Sequence, residues 1–235
     1  MIGIQQILLD LDGPLLDGKE RHYFCYRTIL EKFGFESIGI DEYWEKKRAM
    51  INRRDLLNLS GAGEIYDEFL AAWLEMIESA DALAFDKVQD GAIDCLGHWS
   101  ERGMELILVT MRKNRRTLED QLKTTGLRRY LDVVLMCDHA DGGSGKADRV
   151  RNFYPAGKTF KCSLWVGDTE ADREAAKYLD CSVVLLSNGL RNEGYLKSLP
   201  GAIVMPSIQS LNACPLKQVL TISKALGSAL YHVAP

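Results

Sequence analysis

Six short apolar runs recur along the chain: Ile4 to Leu9, Leu106 to Val109, Val133 to Met136, Leu164 to Val166, Val183 to Leu186 and Ile203 to Met205. None alternates strongly between apolar and polar positions, which is the pattern of strands buried on both faces of a parallel sheet. Segments of helical period separate most of them, such as Ala92 to Arg102, Arg116 to Leu127 and Glu170 to Leu179. Strand and helix in alternation predict a doubly wound α/β fold with a parallel sheet.

The alternation fails once. Between Gly18 and about Asp86 no convincing strand occurs, whereas Tyr23, Tyr26, Ile29, Leu30 and Phe33 recur at spacings of three and four, as do Ile65, Phe69, Trp73, Met76 and Ile77 further on. Asp41 is the expected cap of an intervening helix, with Gly34, Gly39, Gly61 and Gly63 at the turns. These patterns predict two units: an α/β core from residues 1–18 and 87–235, and an all-helical insertion, residues 19–86, placed after the first strand.

Composition narrows the function classes. The chain has 235 residues, 46% hydrophobic and 26% charged, so it can bury a substantial core and is neither disordered nor collagen-like. A net charge of −4 argues against general nucleic-acid binding, which requires an excess of Lys and Arg. No apolar stretch approaches the ~20 residues of a membrane span, and the run Met1 to Leu9 lacks the basic start of a signal peptide. The six cysteines, Cys25, Cys95, Cys137, Cys162, Cys181 and Cys214, are scattered without a CxxC pair and are expected to be reduced core residues. A cytoplasmic protein, monomer or homodimer, with no nucleic-acid or membrane partner, is the expectation.

The candidate chemistry lies at strand ends, where open α/β sheets bind ligands. Asp10 and Asp12 leave the first run in ILLDLDGPLLDG and enter a glycine turn. Asp168 and Asp172 leave the fourth in LWVGDTEAD. If the two strands are neighbours, four carboxylates converge. Two carboxylates about 4 Å apart repel by about 4 kcal/mol at an effective dielectric of 20, so such a group demands a cation or a proton; hard oxygen ligands suit Mg²⁺. The plainer alternative has Asp168 capping the next helix and Asp172 facing solvent. Thr110 ends the second run, followed by Met111, Arg112, Lys113 and Asn114, and a hydroxyl with free N–H groups at a helix start makes an anion site. Lys146 lies in the turn-rich DGGSGKAD. Its Gly145–Lys146 pair is no P-loop, because Ala140 and Ala147 stand where that motif needs Gly and Ser or Thr.

In this order and spacing the four pieces resemble the haloacid dehalogenase-like hydrolase superfamily: DxDGxLxD at Asp10 and Asp12, a strand-ending Thr110, Lys146, and GDxxxD at Asp168 and Asp172. The resemblance spans nearly the whole chain. It implies a Rossmann-like core with a helical cap, and a Mg²⁺-dependent phosphatase of a small phosphorylated metabolite. By the same resemblance, Asp10 attacks phosphorus and becomes an aspartyl-phosphate, and Asp12 acts as acid and then base. Mg²⁺ is held by Asp10, Asp168 and the Asp12 carbonyl, with Asp172 ordering the metal's surroundings or the lysine. Thr110, Met111, Arg112 and Lys146 bind the phosphoryl oxygens.

Pro14 departs from the family pattern by removing a donor in the flap, and Ala147 departs by replacing a frequent Pro. A sugar phosphomutase is the nearest rival, since His22 and Lys113 resemble residues that those enzymes carry. A catalytically silent binding module for phosphometabolites is the alternative from another class. In the cap, His22 and Arg54 are candidate substrate contacts. Arg53, with Lys46, Lys47 and Arg48 nearby, either recognises a second anionic group or forms a solvated basic face. Trp44, Trp73 and Trp99 are expected in the core.

Overall fold

The computed structural model describes residues 3–216 and 219. Met1 and Ile2 of the N-terminal run, and residues 217, 218 and 220–235 of the expected core range, lie outside the described residues. The chain runs through β1 (Gln6–Leu9), β2 (Leu16–Asp17), α1 (Lys19–Lys32), α2 (Ile40–Arg48), α3 (Arg53–Asn58), α4 (Tyr66–Met76), α5 (Ala80–Leu83) and β3 (Lys87–Val88). It continues through α6 (Ala92–Glu101), β4 (Glu105–Thr110), α7 (Arg115–Thr124), β5 (Val133–Met136), α8 (Gly142–Phe153), β6 (Ser163–Gly167) and α9 (Glu170–Leu179). β7 (Ser182–Leu186), α10 (Glu193–Ser198), β8 (Ile203–Met205) and α11 (Ile208–Asn212) complete it.

Six strands form one parallel sheet in the order β5-β4-β1-β6-β7-β8. Successive side chains of a strand face opposite sides, and here both sides are covered. Ile7 and Leu9 of β1, Leu106 and Leu108 of β4, and Leu164 and Val166 of β6 pack against α6, α7 and α11 through Trp99, Leu118 and Leu211. Leu8, Ile107 and Trp165 face the other way, toward Val150 of α8, Ala175 and Ala176 of α9, and Leu196 of α10. Burial on both faces explains why the six runs read as continuous apolar segments, and the architecture is the doubly wound α/β class.

A second sheet was not apparent in the sequence. β2 and β3 pair antiparallel, Leu16 with Val88 and Asp17 with Lys87, and tie together the two chain crossings that flank α1–α5. Those five helices enclose their own apolar cluster, including Tyr26, Ile29, Tyr43, Trp44, Leu57, Phe69 and Trp73.

Three expectations need correction. Asp41 does not cap α2: Gly39 does, while Asp41 sits in the first turn, where its charge suits the helix dipole, and pairs with Lys19 at 2.7 Å. DGGSGKAD is not a turn but the start of α8, which places Lys146 on a helix. Its glycines answer to packing, because a Cβ at Gly143 would collide with the Ala171 carbonyl of α9. Of the six cysteines, Cys25 and Cys95 are buried, and the other four are only partly so. No helix among the described residues is long and apolar enough to cross a membrane.

Candidate active site

β1 and β6 are neighbours, so the residues following them meet at one edge of the sheet. Asp10 is anchored by its own N–H, which donates to the Val166 carbonyl at 3.0 Å. Its carboxylate accepts from the Leu11 N–H at 2.8 Å and pairs with the Lys146 ammonium at 2.8 Å. The same ammonium donates to Asp172 at 2.7 Å. Lys146 is buried, yet Asp10 and Asp172 outweigh the cost of burying its charge and hold its pKa above the ordinary lysine value.

Asp172 is fully buried rather than facing solvent. It closes the capping box of α9, whose N-cap is Thr169 and not Asp168. Besides Lys146 it accepts from the Trp165 indole at 3.1 Å, the Asp168 and Thr169 N–H groups at 3.1 Å each, and the Thr169 hydroxyl at 2.8 Å. Burial pushes its pKa up, but Lys146 and these donors bring it below the usual carboxylate range.

Asp168 is also fully buried, and its Oδ2 accepts from the Leu190 N–H while its Oδ1 has no partner among the described residues. Burial, then Asp172 and Asp10, push its pKa well up. Gly13, at φ +99°, and Gly189 approach this carboxylate so closely that a Cβ on either would run into it. One oxygen each of Asp10, Asp168 and Asp172 lies within 4.8 Å of the others. Asp10 is pushed up to about 7, by burial first, with Lys146 opposing and Asp172 and Asp12 adding to the rise.

The fourth carboxylate does not join them. Asp12 is clasped by Arg112, through Nε and Nη2 at 2.7 Å each, and by Arg21 of α1 at 2.6 Å. Burial raises its pKa, but Arg112 and Arg21 outweigh burial and hold it far below the usual range. Both arginines also reach Asp86, Arg21 at 2.9 Å and Arg112 at 3.1 Å, and Gln121 donates to Asp86 at 2.8 Å. The expected convergence of four carboxylates is therefore a group of three with Lys146, beside a second network of Asp12, Arg21, Asp86 and Arg112. Arg112, expected on phosphoryl oxygens, is spent on Asp12 and Asp86.

Thr110 is buried at the end of β4, its hydroxyl accepting from the Arg112 N–H at 3.3 Å, and Met111 beside it is half-buried. Several N–H groups at the start of α7 are already engaged, those of Arg116 and Thr117 by the Asn114 side-chain oxygen. Those of Lys113 and Asn114 donate to the Glu78 carboxylate at 3.0–3.1 Å. His22 stacks on Trp73, with ring centroids 5.5 Å apart, and leans on Trp44. Burial, with Lys47 and Arg21 nearby, drives its pKa well down. The Lys113 side chain is exposed. Arg54 is exposed as well, stacked over Tyr66 with its Nη1 on the Gly63 carbonyl. The turn after Asp12 closes through the N–H groups of Gly13, Leu15 and Leu16, so Pro14 withholds none of its bonds.

Asp86, Arg21, Glu78 and Leu190 escaped the sequence. Each is an ordinary residue of a helix, turn or loop, and only its distant partner marks it.

A doubly wound sheet with a lysine-tied carboxylate cluster at its strand ends defines the class of open α/β proteins that bind their ligand at that edge. The chain belongs to the haloacid dehalogenase-like hydrolase family, whose model matches residues 7–186. A phosphoglycolate phosphatase of Pseudomonas fluorescens is 27% identical over 215 residues, covering 87% of this chain and 77% of the relative. One of Pseudomonas aeruginosa is 27% identical over 219 residues, covering 88% and 78%. A haloacid dehalogenase-like family hydrolase from Streptococcus pneumoniae shares the fold, with a TM-score of 0.67 at 17% identity, covering 94% of this chain and 99% of the other.

Proposed function

We propose that the protein is a Mg²⁺-dependent phosphomonoester hydrolase that acts on a small phosphorylated metabolite through an aspartyl-phosphate on Asp10. The observation that carries this reading is the grouping of Asp10, Asp168 and Asp172, with Asp10 and Asp172 paired to one buried ammonium. When all three carboxylates are ionised, Lys146 leaves two negative charges uncompensated, so that burial and this excess drive Asp10 and Asp168 up without a cation, and Asp168 Oδ1 is buried without a partner among the described residues. A divalent, oxygen-seeking cation fits that donor set. Asp10 and Asp168, with the Asp12 carbonyl that the family resemblance adds, would hold it, and Asp172 stands beside them. When bound, Mg²⁺ supplies charge neutralisation, allowing an anionic nucleophile and an anionic ester to approach.

The chain's own groups do the rest. The Asp10 carboxylate oxygen attacks phosphorus as the ester P–O bond breaks, and the leaving oxygen takes a proton. Lys146 orients Asp10 and faces the developing charge. In the second half, water attacks phosphorus, its proton passes to Asp12, and the P–O bond to Asp10 breaks, releasing phosphate. The arginine-clasped, ionised Asp12 is already in the form this base step needs. To donate a proton in the first half, Asp12 has to shed part of that clasp as the ester enters.

Phosphate release from para-nitrophenyl phosphate that requires Mg²⁺ and disappears in Asp10→Asn, with phosphorylated Asp10 found by mass spectrometry after acid quench, is the expected result. Full activity in Asp10→Asn would refute the reading. The relatives' names make phosphoglycolate the first natural ester to try. The phosphomutase alternative gains nothing from a His22 packed between tryptophans or an exposed Lys113. Conversion of a sugar monophosphate to its isomer without free phosphate would revive it.

A further inference from the structure

A cavity of about 340 Å³ opens within the helical insertion, bounded by α1, α2, α3 and α4 and, from the core, by Arg191 after β7. Its apolar wall includes Tyr43, Phe69 and Trp73, and no Asp or Glu lines it. Three cations do. The Lys47 ammonium lies 5.4 Å and the Arg53 guanidinium 5.5 Å from the centre of the Trp73 ring. Arg191 is paired with Glu170 at 2.7 Å, but neither Lys47 nor Arg53 has a carboxylate within ion-pair distance among the described residues. Gathering like charges beside an aromatic floor without a counter-charge is unfavourable, and an anion entering the cavity removes that cost.

Two of the residues that line the cavity, Trp73 and Arg191, each stand one residue away from a partner of the catalytic carboxylates. Trp73 stacks on His22, which shares a small pocket with Asp12. Arg191 directly follows Leu190, whose N–H holds Asp168. A ligand pocket of a few hundred Å³ is ordinary for a whole small molecule, so this one far exceeds the needs of a two-carbon acid.

Resting on the phosphatase reading above, we propose that this cavity holds the leaving-group end of the substrate, and that the substrate is a phosphomonoester whose apolar or aromatic body carries a second anionic group. The body packs on Trp73 and Phe69 while the second anion is met by Lys47 and Arg53. Phosphoglycolate has the second anion but no body to fill the wall.

Two matched esters test this: para-carboxyphenyl phosphate and phenyl phosphate. The expected kcat/KM ratio in favour of the carboxylate is about tenfold or more, equivalent to about 1.4 kcal/mol. It collapses toward unity in Lys47→Met and in Arg53→Met, survives in Lys47→Arg, and resides in KM. Phosphoglycolate is turned over less efficiently than the carboxylated aryl ester. A ratio near unity in the wild-type enzyme, or one unchanged in both Met variants, overturns the proposal. So does noncompetitive inhibition by benzoate, which would make the cavity a separate effector site. If neither ester is hydrolysed, the phosphatase reading fails on its own. Calorimetric titration of para-carboxyphenyl phosphate into Asp10→Asn then decides the cavity separately: binding weakened about tenfold by the added Lys47→Met supports it, and equal binding refutes it.

Discussion

At the residue scale, charge pairing decides what each catalytic candidate does. Asp86 is the least conspicuous of these residues in the sequence and among the most connected in the structure, since its side chain is fully covered and meets Arg21, Arg112 and Gln121. Breaking a buried ion pair by removing one partner typically costs about 3–5 kcal/mol. Asp86→Ala is expected to lose stability of that order in urea denaturation and to lower the pKa of Asp12 further, since a like charge beside it is gone and both arginines are left to Asp12; an unchanged midpoint would contradict this account. Lys47 gives a prediction of opposite character. Burial, and then Arg53, Arg191 and Arg21, pull its pKa down to about 7, with Cys25 of α1 acting weakly the other way. The other ionisable groups near its cavity and its neighbour His22 are the Glu170 that pairs with Arg191, His22 itself, and Asp12 and Arg112 beside it. As pH rises through 7 the free enzyme loses this positive charge, so KM for an ester bearing a second anion should climb, by up to about tenfold per unit. Below 7 it should stay flat. In Lys47→Arg, whose guanidinium keeps its proton, the rise should vanish.

At the scale of elements, the position of Lys146 depends on how closely α8 lies against α9. Gly143 permits that approach and donates its N–H to Glu174 at 3.1 Å. Gly143→Ala would push a methyl group into the Ala171 carbonyl and separate the helices. Overpacking of this kind costs about 1–3 kcal/mol, and the displaced Lys146 should lower kcat more than it raises KM. Stability curves and steady-state kinetics on the one variant check both. Reading the chain, the same glycines signal a turn; composition is blind to a helix whose small residues are required by a neighbour. α9 is the opposite case, because its bounds, Glu170 and Leu179, are those the helical period indicates.

For the whole molecule, the carboxylate cluster is a local cost that the rest of the fold sustains, with two of its three acids driven above their ordinary values. A ligand that binds only the folded state adds about 2.7 kcal/mol at a hundredfold excess over its Kd. Added Mg²⁺ should therefore raise Tm, a chelator should reverse the gain, and Asp168→Asn should abolish it. Equal melting in all three conditions would remove the support for a cation at this site. The helical insertion also touches the core directly: the Arg48 guanidinium donates to the Ser187 carbonyl, and the Asn192 N–H donates to the Arg48 carbonyl at 3.1 Å. These contacts tie α2 to the loop that holds Asp168.

The sequence by itself determined the parallel sheet, because burial on both faces writes continuous apolar runs into each strand, and it determined that acids stand at the ends of β1 and β6. Asp10, Asp168 and Asp172 were legible as candidates because each lies in a short string with its own local pattern, whereas Lys146, in a string that signals a turn, stood out only through the family resemblance. Only the tertiary structure decided which charges meet. Asp12 and Arg112 are 100 residues apart along the chain, and Arg112 and Asp86 are 26 apart, so no window of sequence contains the clasp that ionises Asp12. The same holds for the cations around Trp73, drawn from α2, α3 and the loop after β7. Electrostatic partners are chosen by distance in space, and that distance exists only once the chain has folded.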